Sequence, residues 1–107
     1  MNTNDSTLND IRRCLAQNMP PYGKAILFGS QARGTAREDS DWDILVILDK
    51  DKLLPSDYDS VTYPLTELGW ELVKEINPVM YSAQEWDKYK ISPFYKNIEQ
   101  EGITLWG

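Results

Sequence analysis

Apolar side chains recur along this 107-residue chain first at a helical and then at a strand-like period. The first group has the spacing of one helical face, which predicts a helix over residues 6–18, and it consists of Leu8, Ile11 and Leu15. We expect Asp5 or Ser6 to cap its start, because either side chain can accept a hydrogen bond from a backbone N–H. Cys14 lies beside this face and is expected to pack as a small buried hydrophobe.

Three short apolar runs predict β-strands, and they cover Lys24–Phe28, Asp41–Leu48 and Ile76–Tyr81. The first run stops at Gly29-Ser30, and residues 31–37 suit a short helix or a turn. Pro78 has no N–H to donate to a neighbouring strand. The third strand is therefore expected either to lie at an edge of the sheet or to start near this proline.

The second half of the chain predicts three more helices. A stripe with helical spacing indicates a helix over residues 61–73, and it consists of Val61, Leu65, Leu68 and Leu72. Pro64 fits the first turn of that helix, where a missing N–H costs little. A capping box from Ser82 to Glu85 opens the next helix. The last helix begins at Ser92-Pro93 and ends at Gly102, and residues 103–106 are expected to be extended.

This order of elements predicts an α/β fold. The order is helix, strand, helix, strand, helix, strand and then helices. Such alternation favours a small sheet of three to four strands with flanking helices. At this length we expect residues 1–107 to form one domain.

Composition narrows the chemistry that this domain can perform. The chain carries 17 acidic and 11 basic residues, a formal net charge of −6, which argues against binding to long nucleic acids. It has no histidine and a single cysteine, so a Ser-His-Asp triad, a His-ligated zinc site and an internal disulfide are excluded. The polar N-terminus lacks the features of a signal peptide, and no apolar run reaches membrane-spanning length. A cytoplasmic protein without membrane contact is expected.

Two neighbouring segments carry candidate chemistry. Gly29-Ser30 stands where a strand enters a helix, so backbone N–H groups and a hydroxyl are available to a phosphate. Asp41 and Asp43 are two residues apart and share a face if both lie on a strand, while Trp42 points to the other face and packs beneath a helix. Mg²⁺ is bound by one or two carboxylates together with phosphate oxygens. Each half also has an ordinary structural explanation, as a turn or as a solvated strand start.

Two other groups are interpreted structurally. The acidic residues of the segment 49–59 are expected to form a solvated loop, since they lack the glycine and terminal glutamate of a calcium-binding loop, and they are Asp49, Asp51, Asp57 and Asp59. The aromatic residues of the C-terminal third are interpreted mainly as core, with a partner-binding patch as the alternative. They are Tyr81, Trp86, Tyr89, Phe94, Tyr95 and Trp106.

The joint motif resembles a known signature. Gly29-Ser30-Gln31-Ala32-Arg33-Gly34 followed by Ser40-Asp41-Trp42-Asp43 is similar to the GSxxRG and SDxDhhV motifs of the polymerase-β-like nucleotidyltransferase superfamily. The short chain resembles the minimal nucleotidyltransferases of bacteria and archaea over its whole length. The resemblance implies a mixed sheet with helices on one side and an active site at its open edge.

The resemblance also implies roles for individual residues. Gly29 and Ser30 would hold the β- and γ-phosphates of ATP or another nucleoside triphosphate, and Asp41 and Asp43 would bind Mg²⁺. Arg33 would brace the turn, contact phosphate or pair with an acidic neighbour.

The superfamily usually has a third carboxylate on a later strand, as a ligand or as the base for the attacking hydroxyl. Glu75 is the acidic candidate here, and a solvated glutamate is the alternative. Asn77 shares its face and would supply only an amide.

Two functions follow from this resemblance. The first is Mg²⁺-dependent transfer of a nucleoside monophosphate, AMP from ATP, to a hydroxyl of a protein or small molecule, in an antitoxin that is paired with a helical HEPN-type toxin. The alternative is a binding module that keeps the fold, has little or no catalysis and acts by docking to a partner protein.

Overall fold

The computed structural model describes the backbone of residues 3–107 and the side chains of residues 6–107. Its elements are α1 (Thr3–Asn18), β1 (Gly23–Phe28), α2 (Ser30–Arg33), β2 (Trp42–Leu48), α3 (Pro55–Asp57), a π-helical turn (Tyr58–Thr62), α4 (Tyr63–Leu72), β3 (Ile76–Ser82), α5 (Ala83–Asp87), α6 (Pro93–Glu101) and β4 (Ile103–Trp106). The α/β class and the predicted order of elements are confirmed.

The four strands form one mixed sheet in the order β3-β2-β1-β4. β1 is antiparallel to both β2 and β4, whereas β2 and β3 are parallel. β3 lies at an edge, which confirms one of the two positions that Pro78 predicts. The extended residues 103–106 form the fourth strand, because they pair with β1.

Helices cover both faces of this sheet. Trp42, Ile44 and Val46 of β2 are at most 3% exposed and pack into the larger core with α1 and α4. Leu45 points to the opposite face and packs with Trp86 and Ile98 of α5 and α6. The expected one-sided helical layer is therefore wrong, because the central strand β2 is apolar on both faces and both must be covered.

The aromatic residues of the C-terminal third are mostly part of the smaller core. The Trp86 ring contacts those of Tyr81, Phe94 and Tyr95 with centroids 5.1–5.6 Å apart. Trp106 packs against the larger core. The interpretation of this group as core is confirmed, and only Tyr89 is more than one third exposed among its members.

The start of α1 corrects the first predicted cap. The helix begins at Thr3, so Asp5 and Ser6 lie inside it rather than at its N-cap. Cys14 packs against the larger core, as expected, but is only half-buried, and it accepts a weak hydrogen bond from the Asn18 amide at 3.6 Å. Burial raises the pKa of its thiol.

Helical structure before α4 starts earlier than the predicted residue 61. Asp57 is only 8% exposed. Its carboxylate accepts a hydrogen bond from the Leu54 N–H at 2.7 Å and forms an ion pair with Lys50 at 2.9 Å. Asp57 thus opens the helical segment, and its prediction as a solvated residue is wrong. The predicted caps of α5 and α6 are confirmed, since Ser82 and Ser92 each accept a backbone N–H at 3.1 Å.

Among the helices within residues 3–107, none combines the length and apolar character that crossing a membrane requires.

Candidate active site

The turn between β1 and α2 brings Gly29 against Asp43. Gly29 has φ +76° and ψ −159°, a conformation that is open almost only to glycine. Phe28 pairs with Asp43 across the sheet. A Cβ added to Gly29 would lie 2.5 Å from the Asp43 Oδ2 atom. The absence of a side chain at Gly29 therefore lets the turn and the carboxylate share this space.

The turn then enters α2 and leaves backbone donors at its start. The carbonyl of Gly29 accepts the N–H groups of Ala32 and Arg33 at 3.1 Å each. The helix ends at Gly34, which has φ +77° and donates its N–H to the Ser30 carbonyl. The first N–H groups of a helix have no partner within it, so those of Ser30 and Gln31 join the Ser30 hydroxyl as donors for an anion.

A second turn positions Asp41. The Ser40 hydroxyl accepts the Arg37 N–H at 2.7 Å, and the Ser40 N–H donates to the Arg37 carbonyl at 3.1 Å. The Gln31 amide of α2 donates to the Ser40 carbonyl at 3.4 Å. This contact ties the start of α2 to the residue before Asp41. Sequence reasoning did not assign this role to Gln31, because it depends on the path of the loop.

The environment of Asp43 disfavours its negative charge. Burial, first, and the charge of Asp41, second, raise the pKa of the Asp43 carboxyl above its ordinary value. A hydrogen bond from Asn77 and the guanidinium of Arg33 oppose that rise. Two carboxylates that repel each other in this way are stabilised by a divalent cation.

Asn77 of β3 lies beside Asp43, whereas Glu75 does not. The parallel register pairs Asp43 with Asn77. Glu75 precedes the strand, is exposed, and its carbonyl accepts the Trp42 N–H at 2.8 Å. Trp42 itself is 3% exposed and packs into the larger core, as its predicted orientation requires.

Glu75 instead lines a cavity of about 580 Å³ that Asp41 also lines. The other lining residues come from the same two segments, residues 37–41 and 73–75. Among the side chains of residues 6–107, no three acidic or cysteine groups are arranged to hold a metal. Asp41 and Asp43 therefore fit a Mg²⁺ ion whose remaining oxygen ligands come from a bound triphosphate.

Arg33 has an acidic neighbour. Its guanidinium forms an ion pair with Glu101 of α6 at 3.4 Å, and the two side chains are 47% and 39% exposed. An ion pair this exposed contributes little to stability. The pairing matches one of the three roles expected for Arg33, and Glu101 is a partner that the sequence did not reveal, because it lies 68 residues away.

Comparison of the sequence with known proteins identifies its family. The family model of the nucleotidyltransferase domain matches residues 8–103. A relative from Methanocaldococcus jannaschii that is named as a protein adenylyltransferase is 36% identical over 83 residues, which are 78% of this chain and 77% of the relative.

Solved structures with the same fold come from toxin–antitoxin complexes. One is a toxin–antitoxin crystal structure with AMP-PNP, with a TM-score of 0.62 and 24% identity over 94% of this chain and 73% of the other. Another is a tri-AMPylated HEPN toxin of Shewanella oneidensis in complex with its MNT antitoxin, with a TM-score of 0.62 and 21% identity over 98% of this chain and 73% of the other. At such identities the likeness shows the fold.

The family match spans nearly the whole chain and includes both turns of the site. The relative from M. jannaschii carries the name of an adenylyltransferase, which is one kind of nucleotidyltransferase. The chain is a nucleotidyltransferase enzyme and belongs to the nucleotidyltransferase domain family.

Proposed function

We propose that this enzyme transfers AMP from ATP to a hydroxyl of a protein acceptor in a Mg²⁺-dependent reaction. The observation that carries the proposal is the contact between Gly29 and the Asp43 carboxylate, which puts phosphate donors and candidate metal ligands within one small site. A small-molecule hydroxyl is the other acceptor class that the sequence allows.

The residues of the two turns would bind the triphosphate. Gly29 and Ser30 would hold the β- and γ-phosphates, Ser30 as a donor and Gly29 by its lack of a side chain. Arg33 would exchange its weak contact with Glu101 for a phosphate oxygen. Asp41 and Asp43 would hold Mg²⁺. When bound, Mg²⁺ neutralises charge on the phosphates and lowers the pKa of a coordinated hydroxyl.

The transfer itself is an in-line displacement. The acceptor oxygen forms a bond to the α-phosphorus while the bond from that phosphorus to the bridging oxygen breaks, and pyrophosphate leaves. We assign Glu75 as the base that takes the acceptor proton, because it lines the same cavity as Asp41. Asn77, which lies beside Asp43, cannot accept that proton as a carboxylate would.

A HEPN-type toxin is the proposed protein acceptor, and this chain is the proposed antitoxin. The support is the fold shared with the MNT antitoxin that was solved in complex with an AMPylated HEPN toxin. The net charge of −6 suits a basic protein partner and argues against a long nucleic acid as acceptor.

A label-transfer experiment tests the proposal. The chain is co-expressed with a HEPN-type protein, the proposed acceptor, and transfer from ATP labelled at the α-phosphate is followed with Mg²⁺ and with EDTA. We expect label on the partner with Mg²⁺ only, loss of label in the Asp41→Ala/Asp43→Ala variant, and a reduced rate with unchanged ATP affinity in Glu75→Gln.

The same experiment distinguishes the docking module from the enzyme. Asn77 at the position beside Asp43 is the observation that favours docking, since it leaves this strand without a carboxylate in the site. A complex that copurifies in wild-type and double-variant form, with no label transferred by either, would overturn the proposed reaction.

A further inference from the structure

We propose that a basic polypeptide acceptor docks on the outer face of α4 and reaches Asp41 along a groove past Lys74 and Glu75. This inference rests on the proposed transfer reaction and adds where the acceptor binds and which class it is. The docking face, called the α4 surface below, consists of Tyr63, Glu67, Trp70 and Glu71.

An exposed aromatic pair is the first observation. Trp70 is 65% exposed and Tyr63 is 48% exposed, and their rings meet edge to face with centroids 5.9 Å apart. The other three tryptophans of the chain are at most partly exposed, because they belong to the two cores or pack against them. Trp and Tyr held in this way are the side chains that dominate binding energy at protein interfaces.

The second observation is a pair of cavities near the active site that share lining residues. A cavity of about 270 Å³ begins at Trp70 and Thr66 and includes Lys74 and Glu75. The cavity of about 580 Å³ includes the same Lys74 and Glu75 and ends at Asp41. Because both cavities are lined by Lys74 and Glu75, the proposed path runs through them from the aromatic pair to a candidate metal ligand.

This path is separate from the phosphate-binding turn. Within the described residues, neither Gly29 nor Ser30 lines either cavity. A triphosphate on that turn would leave the path open to an acceptor. The acceptor hydroxyl would thus arrive at Asp41 from the α4 side.

Charge decides the class of acceptor. The two segments that border the path, residues 37–41 and 63–75, carry six acidic and two basic side chains. Glu67 lies between Tyr63 and Trp70 on the helix, one turn from each, and is exposed. A segment with lysine or arginine around its hydroxyl residue complements this surface, whereas an acidic segment is repelled.

Two tyrosine-containing copolymers serve as probes. Fluorescently labelled poly(Lys,Tyr) and poly(Glu,Tyr) are titrated with the full chain, and binding is followed by anisotropy at several salt concentrations. We expect poly(Lys,Tyr) to bind and poly(Glu,Tyr) not to bind. Transfer of label from ATP should show the same preference.

Matched variants separate the α4 surface from general acidity. Trp70→Ala should weaken poly(Lys,Tyr) binding about tenfold, and Tyr63→Ala about threefold. Tyr22→Ala removes a tyrosine that is 49% exposed elsewhere and should stay within about twofold of wild type. Glu67→Gln/Glu71→Gln should reduce the salt dependence of binding, whereas Glu99→Gln on α6 should not. Thermal unfolding checks that each variant is folded.

Three results would overturn the α4 surface as the docking site. The wild type would fail to bind poly(Lys,Tyr), Trp70→Ala would bind it as tightly as the wild type, or Tyr22→Ala would weaken binding as much as Trp70→Ala. Mg²⁺-dependent ATP binding is measured in parallel. If the wild type shows no Mg²⁺-dependent ATP binding but Trp70→Ala selectively weakens poly(Lys,Tyr) binding, the proposed reaction is overturned and the docking surface is supported.

Discussion

At the scale of single residues, the Asp43 carboxylate is the point on which the site depends. The carboxylate fills the space that a side chain at Gly29 would need, and Asp41 repels its charge. It accepts a hydrogen bond from Asn77 and is attracted by the guanidinium of Arg33. Three of these neighbours lie on different elements from Asp43, so small changes at any of them alter the same carboxylate.

Substitution of Gly29 by alanine tests this contact. The new Cβ would collide with Asp43 and force an unfavourable φ, so we expect Gly29→Ala to lower the free energy of unfolding by about 1–3 kcal/mol and to abolish ATP binding. Gly34→Ala is the matched control, because Gly34 has a similar φ but nothing within 4 Å of an added Cβ. It should cost stability and keep ATP binding, as measured by urea unfolding and calorimetry.

Asp43→Asn should separate stability from activity. The neutral amide removes the repulsion with Asp41 and the cost of burying a charge, so we expect the free energy of unfolding at pH 7 to rise slightly while nucleotidyl transfer is lost. Asp49→Asn, at an exposed position, should change neither. A less stable Asp43→Asn protein would contradict this view of the site.

Asp57 should govern part of the pH dependence of stability. The backbone N–H of Leu54, first, and Lys50, second, lower the pKa of this carboxyl. The contribution of Asp57 to the free energy of unfolding is therefore complete above the unfolded-state pKa of about 4, and it is lost as the pH falls through the lower folded-state pKa. Asp57→Asn should cost about 1–3 kcal/mol at pH 7 and progressively less on acidification. Urea unfolding over this range, with exposed Asp59→Asn as control, measures the difference.

At the scale of elements, the end of α4 is a strained junction beside the site. Val73 has φ +53°, a left-handed conformation that is unfavourable for a β-branched residue, and it is 89% exposed. The turn is held because the Lys74 N–H donates to the Gly69 carbonyl at 2.9 Å. It directs the chain from α4 into β3 and places Lys74 and Glu75 on the cavity wall.

Val73→Gly should relieve this strain. We expect the free energy of unfolding to rise by about 1 kcal/mol, because glycine adopts a left-handed helix end without the Cβ penalty. Ile91→Gly is the control, since Ile91 is equally exposed but has no positive φ. It should gain no stability in the same thermal unfolding experiment.

Local sequence signals predicted most elements but not the contacts between them. The spacing of Leu8, Ile11 and Leu15 gives the buried face of α1, and the Ser82 box gives the start of α5, because each signal is contained within a few residues. The solvated interpretation of Asp57 failed because its burial depends on the Leu54 N–H and Lys50 folding around the carboxylate, which the spacing of apolar residues does not indicate. The pairing of Asp43 with Asn77 depends on strand register, which neither strand specifies alone.

At the scale of the whole molecule, a sheet covered on both faces leaves the site at one end of its strands. The Gly29 turn, Asp41 and Glu75 all lie where β1 ends and where β2 and β3 begin. The surface is acidic, with a net charge of −6. We propose that the acceptor is another protein and that it binds at the α4 surface.

Coupling between Mg²⁺ and nucleotide binding tests whether Asp41 and Asp43 form a metal-dependent nucleotide site. Calorimetric titration of ATP, with Mg²⁺ and with EDTA, is compared for the wild type, Asp41→Ala/Asp43→Ala and the control Asp49→Ala/Asp51→Ala, which changes a second Asp-x-Asp sequence in an exposed loop. We predict that Mg²⁺ strengthens ATP binding at least about tenfold in the wild type and the control but not in the first double variant. Equal ATP affinity with and without Mg²⁺ in all three proteins would show that Asp41 and Asp43 do not hold Mg²⁺ together with the nucleotide.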